Sequence, residues 1–187
     1  MPGAPRETLT TLIPTHERPE KLHGRVLPCI RELGCRILVV DSSEKPDAAC
    51  EAADDIDYVH CPGQELAHKM NQPILERVDT PYIMLNADDT ATSPDAVRRC
   101  LEFLEGEPSY SSATGLHFQC GHGGGELACP QYERHVIPVD AERPGDRLLQ
   151  NFALFYSSYY CVQRSGVWKD LVSRIPAVVR NYYLFET

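Results

Sequence analysis

Two adjacent carboxylates follow an apolar run of the chain, and this pair restricts the fold more than any other feature. Residues 82–85 are Tyr-Ile-Met-Leu, and after two further residues come Asp88 and Asp89. A short apolar run is typical of a buried strand, and carboxylates beside a core cost free energy unless another group neutralises them. A divalent cation with a phosphate-bearing ligand would neutralise them, and ligands bind at the C-terminal ends of strands in open α/β sheets. The pair therefore predicts a functional site at one edge of such a sheet.

The first half of the chain alternates between strand and helix patterns. Strands are predicted over residues 8–14, 36–40, 57–61 and 82–86, and helices over residues 19–33, 43–53, 64–78 and 92–105. Pro28 predicts a kink in the first helix, because proline has no N–H to donate and its ring crowds the preceding turn. Strands that alternate with helices predict right-handed crossovers and a mostly parallel sheet with helices on both faces. We therefore expect an α/β fold.

The pattern changes after Pro108. It predicts strands over residues 110–119 and 132–139, a glycine-rich loop at 121–125, a helix over 141–151, an extended aromatic segment over 152–163 and a last helix near 166–172. The 187 residues suit a single domain. Residues 181–187 break off in an amphipathic pattern without a capping residue, so we expect the natural domain to continue beyond Thr187.

Composition restricts the classes of function. The formal net charge of -9 argues against a general nucleic-acid binder, because phosphate backbones need basic surfaces. The eight cysteines include no Cys-x-x-Cys pair, and the N-terminus is short and polar, so we expect reduced thiols in a cytoplasmic protein. No apolar run approaches the roughly 18 residues that span a bilayer, so we expect any membrane contact to be peripheral.

Each of the first four predicted strands ends in a polar or turn-forming segment. These segments are residues 14–18, 41–43, 62–63 and 88–89. Because the C-terminal ends of parallel strands meet at one edge of a sheet, we expect them to lie together. Carboxylates there could accept hydrogen bonds from a base or ribose, or hold Mg²⁺ or Mn²⁺, which favour oxygen ligands. Without a ligand, the pair at 88–89 would instead cap the following helix, and Asp41 would be an ordinary turn residue.

Four segments, in their order along the chain, resemble the nucleotide-binding half of the family-2 glycosyltransferases of the GT-A fold. They are LIPTHERPEKL at residues 12–22, ILVVDSS at 37–43, HKMNQPI at 68–74 and DTPYIMLNADDTATSP at 79–94. The resemblance covers residues 8–105, a little over half of the chain. It implies a Rossmann-like GT-A three-layer sandwich, with a donor half near residues 8–105 and an acceptor half near 106–187.

The same resemblance implies an activity. Such an enzyme moves a sugar from a nucleotide-diphospho-sugar, above all a UDP-sugar, to a carbohydrate, lipid-linked or protein acceptor. The transfer would depend on a metal and invert the anomeric carbon. The resemblance further implies a role in the assembly of bacterial surface polysaccharide.

Individual residues also receive roles from the resemblance. Asp41 would contact the uracil or an equivalent base, Asp88 the ribose or sugar, and Asp89 would hold Mn²⁺ or Mg²⁺ beside the diphosphate. Many members carry an aspartate at the position of Asn86, whereas here the acids are shifted to residues 88–89. The other donor-facing residues that the resemblance implies are Pro14, Thr15, Glu17, Lys69 and Asn71.

Inverting transfer needs a base that deprotonates the acceptor hydroxyl. Members of the family usually carry this base in an acid-rich motif of the acceptor half, and no Glu-Asp dipeptide follows Asp89 here. Glu186 is the residue that we favour as the base, and Asp146 is the alternative.

Two other functions stay open at this point. A nucleotidyltransferase of related fold would need a glycine-rich and basic loop after the first strand, and residues 14–21 contain no glycine. A non-catalytic domain that binds nucleotide-sugars or serves as a scaffold would explain the missing Glu-Asp dipeptide. A zinc site at Cys120, His122 and Cys129 is disfavoured, because structural zinc sites take four ligands at regular spacing.

Overall fold

The computed structural model describes residues 5–64, 69, 72–116, 121–123, 126–128, 138–154 and 159–174. These residues fall into two compact units. The first unit contains the described residues up to 114 and those from 159 onwards, and the second contains the described residues between 115 and 158.

A six-stranded sheet forms the centre of the first unit. The described strands are β1 Leu9–Thr15, β2 Arg36–Asp41, β3 Ile56–His60, β4 Tyr82–Leu85, β5 Ser112–Ala113, β6 Gly121–Gly123, β7 Glu126–Ala128 and β8 Val162–Arg164. The order in the sheet is β3-β2-β1-β4-β8-β5, in which β1 to β4 are mutually parallel and β8 is antiparallel to β4 and β5. The predicted α/β class with a mostly parallel sheet is therefore confirmed.

Helices connect the strands of the first unit and cover both faces of its sheet. The described helices are α1 Pro5–Thr8, α2 Pro19–Lys21, α3 Leu27–Leu33, α4 Ala48–Glu51, α5 Gln72–Arg77, α6 Pro94–Gly106, α7 Pro144–Leu154 and α8 Ser165–Ser173. Within the described ranges, no helix has the length and apolar character that a bilayer-spanning segment needs.

A π-helical turn, Leu22–Val26, joins α2 to α3, where the sequence predicts a kink at Pro28. Pro28 has no N–H for the carbonyl four residues earlier, so a regular α-helix would lose a hydrogen bond there. The chain instead closes a wider turn, in which Leu27 N–H bonds to the carbonyl of Leu22. The helix ends at Gly34, whose φ of 71° is the left-handed conformation that glycine adopts readily.

The core has two apolar layers, one on each face of the sheet, because successive strand residues point to opposite sides. Against one face lie the π-helical turn, α3 and α6, with the buried side chains Leu22, Val26, Ile30, Leu101 and Leu104. Against the other face lie α5 and α8, with Ile74, Leu75, Trp168 and Val172. Strands covered on both faces carry continuous apolar runs, which explains why β2 and β4 were recognisable in the sequence.

Several predicted boundaries are wrong. The helix predicted over 43–53 is only α4, because Asp47 caps its N-terminus by accepting from Ala49 N–H at 3.0 Å and Cys50 N–H at 3.2 Å. Of the strand predicted over 110–119, the described residues 110–116 contain β5, and the extended segment predicted from residue 152 begins inside α7. Within the helix predicted over 64–78, α5 is described, and the described residue Lys69 is also helical.

The described residues of the second unit form two paired strands and one helix. Strands β6 and β7 pair antiparallel, so the glycine-rich stretch predicted as a loop begins as a strand. Helix α7 starts at Pro144, and the Arg147 guanidinium donates to the carbonyl of Ala141 at 2.7 Å. Most of the strand predicted over 132–139 lies outside the described residues.

Candidate active site

The polar ends of the parallel strands lie together at one edge of the sheet, as the sequence predicts. In the strand register Thr15 lies beside Asp41, and Asp41 lies beside His60. Ser42 N–H donates to the carbonyl of Thr15 at 3.1 Å, so the segment after β2 begins level with the end of β1. We call residues 14–18, 41–43 and 86–89, together with Lys69, the polar edge.

Pro14 ends the backbone ladder between β1 and β4. Leu12 is registered with Leu85, and Asn86 N–H donates to the carbonyl of Leu12 at 3.0 Å. The next N–H that a parallel ladder would direct from β1 towards β4 belongs to residue 14, and proline has none. The chain runs from β1 outwards through β2 and β3 before it returns to β4 on the other side of β1. Pro14 therefore lies at the topological switch point, where open α/β sheets bind ligands.

The Asp88 side chain connects the two strands beyond this point. Asp88 Oδ2 accepts from Thr15 Oγ1 at 2.9 Å and from the backbone N–H of His16 at 3.4 Å, and Asp88 is only 7% exposed. Asp88 Oδ1 accepts from Arg18 Nη1 at 3.1 Å. The carboxylate is therefore held by two donors from the end of β1 and by one cation.

Arg18 bridges the two adjacent carboxylates. Its Nη1 lies 3.1 Å from Asp88 Oδ1 and 3.1 Å from Asp89 Oδ2, and Lys21 Nζ lies 3.9 Å from the same Asp89 oxygen. The Asp89 side chain is 42% exposed, so a ligand can reach it from solvent. Sequence reasoning missed the role of Arg18, although two neighbouring acids at a strand end already required a cation.

Asn86 builds the turn that carries the acid pair. Its side chain is fully buried, and Nδ2 donates to the carbonyls of Ala87 at 2.9 Å and Thr90 at 3.0 Å, while Oδ1 accepts from Thr92 Oγ1. A carboxylate cannot donate these two hydrogen bonds. The hydrogen bonds of this turn therefore require an amide, and not a carboxylate, at residue 86.

Asp41 is buried at the end of β2, where it accepts hydrogen bonds from Ser43 and Tyr58. Oδ1 accepts from Ser43 N–H at 2.8 Å and Ser43 Oγ at 2.5 Å, and Oδ2 accepts from the Tyr58 hydroxyl at 2.7 Å. Burial, together with the hydrogen bond to Asp41, raises the pKa of Tyr58, so its hydroxyl keeps the proton that it donates. Tyr58 is a second residue that sequence reasoning missed.

Lys69 and Glu17 complete the surroundings of Thr15 and Ser43. Lys69 is 6% exposed and its Nζ donates to the carbonyl of Thr15 at 2.6 Å; burial lowers the pKa of this amine. Glu17 has a φ of 53°, a left-handed conformation unusual outside glycine. Its N–H donates to Ser43 Oγ at 2.7 Å, and its Oε1 accepts from Glu44 N–H at 2.7 Å.

The acid pair fits a divalent cation. Mg²⁺ and Mn²⁺ bind through one or two carboxylates together with phosphate and water oxygens, and Asp89 offers an accessible carboxylate beside the buried Asp88. The bridging position of Arg18 demonstrates that a positive charge is accommodated between the two side chains.

Some predicted site residues cannot be placed. Asn71 and Glu186, as well as Cys120 and Cys129, lie outside the described residues, and the side chain of His122 does too. Asp146, the alternative base, is exposed in the first turn of α7.

Comparison with known proteins bears on the fold. No protein-family model matches the chain, and no curated protein matches it. Solved structures similar to it include S. aureus TarS 1-349 with a TM-score of 0.59 and its complex with UDP with a TM-score of 0.60, each at 11% identity. The match covers 94% of this chain and 52% of TarS 1-349, so the chain spans about half the length of that protein.

A mannosyltransferase from Pyrobaculum calidifontis, PcManGT, in complex with GDP-Man and Mn²⁺, is a weaker match. Its TM-score is 0.47 at 19% identity, over 57% of this chain and 34% of that one. The likeness to TarS supports the predicted Rossmann-like α/β fold with its mostly parallel central sheet.

Proposed function

We propose that the protein is a glycosyltransferase that moves a sugar from a nucleotide-diphospho-sugar, in the first place a UDP-sugar, to an acceptor hydroxyl. The observation that carries the proposal is the network at the switch point, where Thr15 and Arg18 hold the paired carboxylates of Asp88 and Asp89. The similarity in fold to a protein solved in complex with UDP supports the same reading. The transfer would be metal-dependent and inverting.

The donor's base and ribose would lie against the ends of β1 and β2. Asp41 would accept an N–H of the base, since its carboxylate is held in one orientation by Ser43 and Tyr58. Thr15 and Pro14 would line this pocket, and Glu17 would hold the loop that borders it through its contact with Glu44. Asp88 would accept a hydroxyl of the ribose or sugar.

The donor's diphosphate would lie beside the cations of the polar edge. Arg18 and Lys21 both contact the Asp89 carboxylate. The buried Lys69 contacts the carbonyl of Thr15. Asp89 would hold Mn²⁺ or Mg²⁺, with Asp88 beside it, and the bound ion would supply positive charge where the departing diphosphate becomes more negative. In that arrangement Arg18 would be released from the carboxylates and could pair with phosphate oxygens, for which its planar guanidinium is suited.

The acceptor side of the reaction rests on residues outside the described part of the chain. Glu186 would deprotonate the acceptor hydroxyl as this hydroxyl attacks the anomeric carbon, and Asn71, like Lys69, would face the donor. The acceptor would be a carbohydrate, a lipid-linked molecule or a protein. If Glu186 is the base, Glu186→Gln should abolish sugar transfer while UDP affinity stays unchanged.

The proposal is tested by calorimetric titration of the 187-residue chain with UDP in the presence and absence of Mn²⁺. Asp89→Asn should weaken Mn²⁺-dependent UDP binding at least about tenfold, or about 1.4 kcal/mol. Asp95→Asn is the matched control, because Asp95 lies in the first turn of α6 with a side chain that is 84% exposed. This variant should bind UDP in the presence of Mn²⁺ with the affinity of the natural sequence.

Two outcomes would count against the proposal. The first is a failure of UDP and Mn²⁺ to bind the natural sequence, and the second is equal affinity of the Asp89→Asn variant. Tighter binding of a nucleoside triphosphate with a sugar phosphate than of any nucleotide-sugar would instead identify a nucleotidyltransferase.

A further inference from the structure

A second cluster of metal-ligating side chains lies in the first unit and shares no residue with the polar edge. His23 lies on the π-helical turn, Asp47 is the N-cap of α4, and Cys50 lies within α4. His23 Nε2 is 2.7 Å from Asp47 Oδ2 and 3.9 Å from Cys50 Sγ. All three ligand atoms lie within 4.8 Å of one another.

The orientation of the imidazole separates this cluster from a catalytic Cys-His-Asp triad. In a triad one ring nitrogen faces the nucleophile and the other faces the carboxylate. Here the same nitrogen, Nε2 of His23, faces both Asp47 and Cys50. The three atoms therefore surround one point, which is the arrangement of ligands around a metal ion and not that of a proton relay.

The backbone orients the ligands before any ion binds. Asp47 Oδ1 accepts from Ala49 N–H and Cys50 N–H, which leaves Oδ2 directed at His23. Asp47 N–H in turn donates to the Tyr58 hydroxyl at 2.7 Å. Hydrogen bonds of this kind to ligating carboxylates are typical of protein metal sites. His23 is presented by a π-helical turn, a rare element that often occurs at functional sites.

The donor set and its exposure define the kind of ion. Cys50 is fully buried, the Asp47 side chain is 11% exposed and the His23 side chain is 34% exposed, so an ion would enter beside the imidazole. One nitrogen, one oxygen and one sulfur suit zinc and ions like it, whereas Mg²⁺ and Mn²⁺ prefer oxygen ligands. Tetrahedral zinc needs ligand nitrogen and oxygen atoms about 3.3 Å apart, so the hydrogen-bonded pair would open by about half an ångström.

We propose that His23, Asp47 and Cys50 bind one divalent cation of the zinc class, with water as the fourth ligand. The ion would replace the thiol proton of Cys50, which is released to solvent as the thiolate binds. Neutral His23 would bind through the lone pair of Nε2 and carry its ring proton on Nδ1. The bound ion would cross-link the π-helical turn to the first turn of α4.

Cobalt is the probe that tests the site, because a thiolate bound to Co²⁺ produces a charge-transfer absorption in the near ultraviolet. The full chain, reduced and freed of metal by a chelator, is titrated with CoCl₂ and then with ZnSO₄. We expect a thiolate-to-cobalt band that saturates at one equivalent and disappears when zinc displaces cobalt. Co²⁺ bound at the carboxylates of the polar edge would not produce this band.

Three variants assign the band to the cluster. Cys50→Ala should abolish it, and His23→Gln and Asp47→Asn should each weaken Co²⁺ affinity at least about tenfold. Asparagine is as good an N-cap as aspartate, so Asp47→Asn preserves α4 while removing the charge. Cys29→Ala is the control, because Cys29 is a half-buried thiol of α3 outside the cluster, and this variant should behave like the natural sequence.

The absence of a thiolate band in the natural sequence would overturn the proposal. So would a band of unchanged intensity and affinity in both Cys50→Ala and His23→Gln, since it would then arise from other thiols. Circular dichroism checks that each variant folds. If Cys50→Ala does not fold, the partly exposed His23→Gln decides the outcome alone.

Discussion

The hydroxyl of Tyr58 connects three elements, and its removal tests how the polar edge is built. It donates to Asp41 Oδ2 at 2.7 Å and accepts from Asp47 N–H at 2.7 Å. Tyr58→Phe keeps the aromatic ring and removes both hydrogen bonds. Among the described residues, Asp41, which is 2% exposed, then retains the two donors of Ser43 for its charge.

The expected loss follows from these contacts. A hydrogen bond to a charged group contributes about 1.5–3 kcal/mol, and a neutral one contributes about 0.5–1.5 kcal/mol. The bond to the Asp41 carboxylate is of the first kind, and the half-buried Asp47 N–H can bond to water in place of the hydroxyl. We therefore expect Tyr58→Phe to lower the free energy of unfolding by about 2–3 kcal/mol.

Urea unfolding measures this loss, with the fluorescence of Trp168 as the signal, since Trp168 is the sole tryptophan of the chain and is 3% exposed. Tyr110→Phe is the control, because it keeps the ring contact with Phe103 at 5.1 Å, and it should change the free energy by less than about 0.5 kcal/mol. A double-mutant cycle with Asp41→Asn should give a coupling of at least about 1 kcal/mol. Additive effects, or a Tyr58→Phe loss below about 0.5 kcal/mol, would refute the reasoning.

Three further changes act through charge. Burial lowers the pKa of Lys69 from 10.5, so the unfolded chain binds more protons than the folded chain at alkaline pH. Stability should therefore rise with pH between the folded pKa and 10.5. Urea unfolding at a series of pH values should show this rise in the natural sequence and not in Lys69→Met. The hydrogen bond from Arg31 lowers the pKa of Asp55 from 3.8, so its stabilisation is complete above 3.8 and is lost as pH falls through the folded pKa. Asp55→Asn should therefore cost less than about 1 kcal/mol at neutral pH, and the difference from the natural sequence should vanish in acid. Arg164 donates to three backbone carbonyls at and after the end of α6 and lies 5.6 Å from the centre of the Tyr82 ring. Arg164→Met should therefore lower the free energy of unfolding by about 2–4 kcal/mol in urea unfolding. An unchanged midpoint would show that water replaces these hydrogen bonds.

The sheet was predictable from the sequence because its strands are buried on both faces. Runs such as residues 37–40 and 82–85 are apolar at every position, and the structure places them in β2 and β4. The convergence of Thr15, Asp41 and Asp88 was predictable for another reason. The C-terminal ends of parallel strands lie at the same edge of a sheet. The helix predicted over residues 92–105 corresponds to α6, which Ser93 caps by accepting from Ala96 N–H at 3.4 Å.

The parts that were not predicted depend on contacts between segments distant in sequence. Arg18 reaches residues 88 and 89 from a loop about seventy positions earlier, and a hydrophobicity pattern carries no information on such a contact. In the sequence, Tyr58 is indistinguishable from an ordinary strand residue. Its contact with Asp41 follows only from the pairing of β3 with β2. The predicted start of the helix over 43–53 was wrong, because Ser43 forms hydrogen bonds with Asp41 instead of entering a helix. Short polar side chains often compete with helix formation in this way.

The acid pair cannot be explained as a helix cap. Ser93 already caps α6, while Asp88 accepts hydrogen bonds from the end of β1 and shares Arg18 with Asp89. A buried ion pair is weak support for stability, because apolar residues of similar volume often serve a fold equally well or better. With their formal charges, Asp88, Asp89 and Arg18 together carry one net negative charge next to Lys21 and Lys69. In the function that we propose, a metal ion would take the place of Arg18 between the carboxylates at the switch point of the sheet, which would give the carboxylates a role that stability alone does not supply.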